Sequence, residues 1–175
     1  MSTNPSKNHS HLFFMQLALN QAKKGTGKTG QNPSVGCVIV KNNIVISSAH
    51  TAYKGRPHAE AIAIKRAGKN LNKSSIYITM EPCSNHGKTP PCTKAIIRSK
   101  IKKVFYSIKD PDSRSFGKSK KKFLQNKILV KEGLLKKKVF QFYKSYFISR
   151  KKRRSFLISK LAISKDHYSK TKKNK

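Results

Sequence analysis

Carboxylates are scarce in this sequence: 6 Asp+Glu face 40 Lys+Arg over 175 residues, for a formal net charge of +34. A chain so poor in acids attracts nucleic acid or another polyanion, because each phosphate contact with Lys or Arg releases counterions. Long apolar runs are also missing. The longest, around Val35–Val40, is strand-sized and far below the ~20 residues a membrane-crossing helix needs, which excludes a helical transmembrane protein. The opening MSTNPSKNHS is polar and lacks the apolar core of a secretory signal, so the expected location is the cytoplasm. Cysteine is limited to three, an odd number that fits a reducing compartment better than a disulfide scaffold. Apolar residues are not lacking. At 36% of the chain, with nine Phe and six Tyr, they suffice for one core and argue against disorder throughout.

The basic excess is mostly lysine, 33 Lys to 7 Arg, and together with plentiful Asn and Ile it matches an A/T-rich coding bias. That bias does not account for the missing acids. Base-reading motifs with interleaved aromatics are absent, so the charge reads as background more than as a dedicated nucleic-acid surface. It is also uneven, with 22 basic and 2 acidic residues from Arg114 onward. Four of the six acids, Glu60, Glu81, Asp110 and Asp112, lie in the Gly/Pro/Cys/His-rich middle, where local chemistry or structure holds them.

Periodicity predicts a helix over 10–24, with Ser10 as N-cap and Gly25 past the end. Val35–Val40 and Ile44–Ile46, joined by Asn42–Asn43, predict a β-hairpin. Helices are expected over 58–67, 92–99, 115–125 and 133–148, and strands over 75–80, 103–107 and 128–130. Strands alternating with helices make an α/β fold with helices on both faces of a sheet. Residues 150–154 read as a basic linker, 155–164 as one more strand, and the remainder as a Lys-rich tail.

Two short motifs carry chemistry: Pro57-His58-Ala59-Glu60, and Glu81-Pro82-Cys83 followed by Pro91-Cys92. One imidazole and two thiolates, His58, Cys83 and Cys92, suit a catalytic Zn2+, which keeps a fourth tetrahedral position open; a structural zinc takes four protein ligands. Glu60, beside the metal without binding it, is the candidate general acid/base, taking a proton from water and passing it to substrate. The spacing matches the zinc-deaminase signature of His-x-Glu, then Pro-Cys and a second Cys, with a longer gap between the cysteines. Cys37 sits mid-strand without a ligand partner and reads as packing.

The run Cys83-Ser84-Asn85-His86-Gly87-Lys88-Thr89-Pro90-Pro91-Cys92, with Asn32-Pro33-Ser34-Val35-Gly36-Cys37-Val38 upstream and Asp110-Pro111 downstream, resembles the deaminase domain of the bacterial riboflavin-biosynthesis deaminase/reductase family. The eight residues between the cysteines are its most specific part, since other zinc deaminases place only two there. The resemblance implies a cytidine-deaminase-like three-layer αβα sandwich with a mixed central sheet. It also implies hydrolytic deamination of 2,5-diamino-6-(5-phosphoribosylamino)pyrimidin-4-one to 5-amino-6-(5-phosphoribosylamino)uracil and ammonia. By the same resemblance Asn32 and His50 contact the ring or ribose, and Lys88 and Thr89 bind the phosphate. His86 orders its loop, Gly36 permits close backbone packing, and Gly87 provides a turn with positive φ. Three positions depart from the family pattern: His50 lies eight residues before His58 instead of seven, Asn85 replaces a His, and Asp112-Ser113 replace Asn-Pro.

Residues 153–166 resemble the opening strand of that family's reductase domain, without its Gly-rich loop. The expected organisation is a zinc-dependent deaminase over 1–149 and a linker with a reductase remnant over 150–175. The expected partners are the small pyrimidine ribosyl phosphate, a separate reductase that acts on the product, and further copies of the chain. Two alternatives share the zinc core: a nucleic-acid deaminase acting on tRNA or another base, and a non-enzymatic RNA-binding relic.

Overall fold

The computed structural model describes residues 5–87, 89–152, 154–165 and 167, with side chains from Ser10 onward. Five strands, β1 (Gly36–Lys41), β2 (Ile44–His50), β3 (Ser75–Met80), β4 (Lys103–Ile108) and β5 (Leu129–Glu132), form one sheet in the order β2-β1-β3-β4-β5. β1 runs antiparallel to both β2 and β3, whereas β3, β4 and β5 are parallel, so the sheet is mixed. Parallel neighbours need a crossover. Helices α3 (Cys92–Arg98) and α4 (Lys118–Gln125) supply the two crossovers, and α1 (Pro5–Lys24), α2 (Ala59–Ala67), α5 (Lys136–Phe142) and α6 (Lys144–Lys152) complete the set.

Strand alternation sorts the core into layers. Cys37, Ile39, Ile76, Ile78, Val104 and Tyr106 face one side and pack with Ala59 and Ala63 of α2, Ile96 of α3 and Phe123 of α4. Val38, Val40, Tyr77 and Phe105 face the other, against Phe14, Met15 and Ala18 of α1. The expected αβα sandwich is the observed one, and Cys37 is fully buried within its first layer. The Asn42–Asn43 turn has φ of 50° and 60° and pairs Lys41 with Ile44, the two-residue hairpin its sequence predicts.

Gly36 allows the closest approach. A Cβ there would enter the Ala18 carbonyl and lie 2.6 Å from the Ala22 amide nitrogen, so α1 backbone rests directly on β1. Beside it runs a directional chain of hydrogen bonds. The Gly36 N–H donates to Thr79 Oγ1 (3.0 Å), Thr79 and Tyr143 hydroxyls meet at 2.6 Å, and the Tyr143 O–H donates to the Ser34 carbonyl (2.8 Å).

The elements differ from expectation at four places. The first helix, expected over 10–24 with Ser10 as its N-cap, begins at Pro5, so Ser10 lies inside it. The helix expected from 115 begins at Lys118, because the Glu81 carboxylate, and not a local cap, accepts the N–H groups of Gly117 (2.9 Å) and Ser119 (3.1 Å). The single helix expected over 133–148 is two, α5 and α6, with the break at Tyr143, whose ring is drawn into the core. Residues 155–164 form no strand. Leu157, Ile158 and Leu161 are exposed (89%, 82% and 76%), and no strand of the sheet pairs with the segment. Among the described residues no helix is long and apolar enough to cross a membrane.

Candidate metal centre and active site

The C-terminal ends of parallel strands β3 and β4 and the start of β1 converge on a cavity of about 170 Å³. Openings of this kind outside strand ends are the usual ligand sites of α/β sheets. His58 immediately precedes α2, Cys92 is the first residue of α3, and Cys83 lies in the loop after β3. Their donor atoms lie within 4.8 Å of one another. His58 Nδ1 is 3.6 Å from Cys83 Sγ and 3.3 Å from Cys92 Sγ. Bonds of ~2.0–2.1 Å to nitrogen and ~2.3 Å to sulfur at tetrahedral angles give N–S edges of about 3.6 Å, so both N–S distances here are those of a zinc site.

Local electrostatics favour the thiolate at Cys83 and oppose it at Cys92. The Cys92 backbone N–H, at the start of α3, donates to Cys83 Sγ at 3.2 Å. Hydrogen bonding from Cys92 and from His58 pulls the Cys83 thiol well down, while its neighbour thiolate and burial push Cys92 up. The pair thus shares one negative charge until a cation holds both. Glu60, in the first turn of α2, is 3% exposed and lines the cavity without belonging to the three-donor cluster. Burial raises its pKa, offset in part by the nearby His58.

The structure brings Asn32 and Thr89 to this cavity. Asn32 Nδ2 donates to the Gly55 carbonyl at 3.0 Å, which fixes the amide. His50 does not line it. The last residue of β2, it packs beside Gly25, and the next residue, Thr51, takes the cavity position. Lys88 lies outside the described residues. His86 lines the cavity, and its Nδ1 is 3.1 Å from the Gly87 carbonyl oxygen. Gly87 has no positive φ, against the expectation from sequence. Asp112 lines the cavity paired to Arg114, with Nε 2.9 Å from Oδ1 and Nη2 2.6 Å from Oδ2. That pairing cancels the repulsion a bare carboxylate would exert on an anion, and the Arg114 hydrogen bonds hold its pKa down at about 2.

Sequence reasoning missed Arg56, Arg114, Arg150 and Tyr146, all on the cavity wall. A signal was present. Arginine is rare in this lysine-rich chain, and three of its seven arginines are here. Residues 8–108 match the model of the cytidine and deoxycytidylate deaminase zinc-binding region. A diaminohydroxyphosphoribosylamino-pyrimidine deaminase of Buchnera aphidicola subsp. Acyrthosiphon pisum is 40% identical over 136 residues, covering 78% of this chain and 92% of the relative. The chain belongs to this deaminase family. Its longer relatives extend well beyond the match: the riboflavin biosynthesis protein RibD of Escherichia coli K12 is 37% identical over 134 residues, 77% of this chain but 36% of its own length. A solved deaminase/5-amino-6-(5-phosphoribosylamino)uracil reductase from Thermotoga maritima superposes with a TM-score of 0.82 at 40% identity, over 86% of this chain and 44% of that one. The deaminase family's zinc region thus contains the His58, Cys83 and Cys92 cluster found in the structure.

Proposed function

We propose that this protein catalyses a step of riboflavin biosynthesis, the hydrolysis of 2,5-diamino-6-(5-phosphoribosylamino)pyrimidin-4-one to 5-amino-6-(5-phosphoribosylamino)uracil and ammonia. The observation that carries the reading is a buried carboxylate, Glu60, standing beside three converging N/S donors without being one of them. His58, Cys83 and Cys92 would hold zinc, which supplies a Lewis acid for the activation of water.

Glu60 accepts a proton as the water oxygen bonds to carbon 2 of the ring. It returns that proton to the departing amino nitrogen, so the carbon–oxygen bond replaces the carbon–nitrogen bond and ammonia leaves. Its raised pKa suits a group that must hold a proton between the two transfers. Asn32, fixed by Gly55, offers amide groups to the polar edge of the ring or ribose. Tyr146 and Arg150 line the cavity, which supports counting α6 with the catalytic unit expected over 1–149. A reductase is the expected partner, since the uracil product is the substrate named for the second activity of the Thermotoga protein.

Zinc-loaded protein given the pyrimidinone phosphate should release ammonia stoichiometrically with the uracil product. Release from tRNA but not from the pyrimidinone would replace this reading with the nucleic-acid one.

A further inference from the structure

The three cavity arginines are not equivalent. Arg114 is spent on Asp112 in a two-pronged ion pair. Arg150 donates from Nη2 to the Gln31 carbonyl at 3.0 Å and lies over the Tyr146 ring, within electrostatic reach of Asp110 and Asp112. Arg56 has no carboxylate at ion-pair distance among the described residues, whose ion pairs are Arg114–Asp112 and Lys120–Glu132. Its Nη1 donates instead to the Thr89 hydroxyl, inside the segment between the two cysteines.

That bond has a direction. A guanidinium only donates, so Thr89 Oγ1 is the acceptor and its own proton is left to point at something else. The remaining N–H groups of Arg56 and the O–H of Thr89 are then adjacent donors with no acceptor in common. The Gly87 N–H turns back onto the Thr89 carbonyl at 3.3 Å, and a Cβ on Gly87 would sit 3.6 Å from Arg56 Nη2, an ordinary contact distance, so the loop borders the guanidinium without crowding it. A planar cation beside a hydroxyl matches the oxygens of a phosphate monoester, and arginine makes that match where lysine offers only a point charge.

Resting on the deaminase reading above, we propose that Arg56 is a further specificity-determining residue, whose guanidinium binds the 5-phosphate of the ribosyl substrate beside Thr89, the residue that the family resemblance already implies at that phosphate. Arg56 lies two residues before the ligand His58 and Thr89 three before the ligand Cys92. A phosphate held between them is therefore fixed relative to both halves of the metal motif, and this sets how far the ring reaches toward Glu60.

The test compares wild type, Arg56→Ala and Arg56→Lys on the pyrimidinone ribosyl phosphate and on the same compound lacking the phosphate, with zinc content and ribose 5-phosphate binding by calorimetry measured in parallel. The expected result for Arg56→Ala is a KM for the phosphorylated substrate raised about 10- to 100-fold, as loss of a charge-assisted hydrogen bond produces. With it go a kcat within about threefold of wild type, unchanged kcat/KM on the dephosphorylated compound, full zinc, and weakened ribose 5-phosphate binding. Arg56→Lys should fall between the two. An equal loss on both substrates, unchanged ribose 5-phosphate binding, or loss of zinc or of the fold in Arg56→Ala would overturn the proposal, since each marks a residue that merely ties the loop in place. Wild type that releases no ammonia from either compound would instead overturn the deaminase reading, and the calorimetry would still report on Arg56.

Discussion

In the proposed reaction Glu60 and the three ligands take different roles, because one carboxylate is buried next to the metal donors without joining them. Glu60→Gln keeps the shape and removes the proposed proton shuttle. Turnover should fall by roughly 10²–10⁴-fold, the usual worth of general acid–base catalysis, with zinc content unchanged by elemental analysis. Cys92→Ser should instead lose the metal. Asp110 offers a different readout, in stability. Burial first, then the neighbouring Asp112 and Glu81, raises its pKa to about 6 from 3.8. A folded-state pKa above the unfolded one means stability is greatest below pH ~4 and declines as pH rises to ~6. Asp110→Asn removes the ionisation while its side-chain oxygen can still accept the Asp112 N–H, the bond Asp110 makes at 3.0 Å. Its melting temperature should exceed that of wild type at pH 7–8, by the equivalent of at most about 3 kcal/mol, and the difference should vanish near pH 4. A constant difference across that range would show that the carboxylate is not the cause.

At the scale of elements, two side chains set boundaries that their own segments do not encode. Glu81 caps α4 from the end of β3, accepting two backbone N–H groups and the Ser119 hydroxyl at 2.8 Å. It thereby ties the loop that carries Cys83 to the helix after the Asp110 turn. Glu81→Gln retains one acceptor oxygen and loses the charge that favours a helix N-terminus, so a loss of about 1–3 kcal/mol is expected in urea unfolding. Tyr143→Phe should cost a similar amount, because Thr79 and the Ser34 carbonyl both lose a buried partner. These long-range contacts also explain which parts of the molecule were legible in the sequence. The cluster of His58, Cys83 and Cys92 could be read because each ligand sits in a short local motif, His58 and Cys92 at helix starts and Cys83 in the loop after β3. The strands could be read because alternation is a period-2 signal. The late start of α4 and the break at Tyr143 could not, since their causes lie 38 and 109 residues away, at Glu81 and Ser34. Arg150 was hidden for the same reason: it read as linker until α6 folded it against the cavity.

At the scale of the whole molecule, the scarcity of acids acquires a location. Glu60, Glu81, Asp110 and Asp112, four of only six, all line the cavity that His58 and Cys83 also line. Together with Arg56, Arg114 and Arg150 they leave the described cavity wall close to neutral, inside a molecule of net charge +34. The far field and the near field therefore do different work. The far field draws an anionic substrate in over about a Debye length, ~8 Å at physiological salt, whereas specific donors must hold it once it arrives. Steering is screened by salt, and short contacts between partly desolvated groups are screened much less. Raising ionic strength from about 0.05 to 0.5 M with a non-binding salt should lower kcat/KM for the phosphorylated pyrimidine several-fold and leave kcat unchanged. The dephosphorylated compound, carrying no charge to steer, should show a flat profile in the same assay. A flat profile for both would mean that the four carboxylates at the cavity cancel the field before it reaches the substrate, and that the basic surface contributes nothing to this reaction.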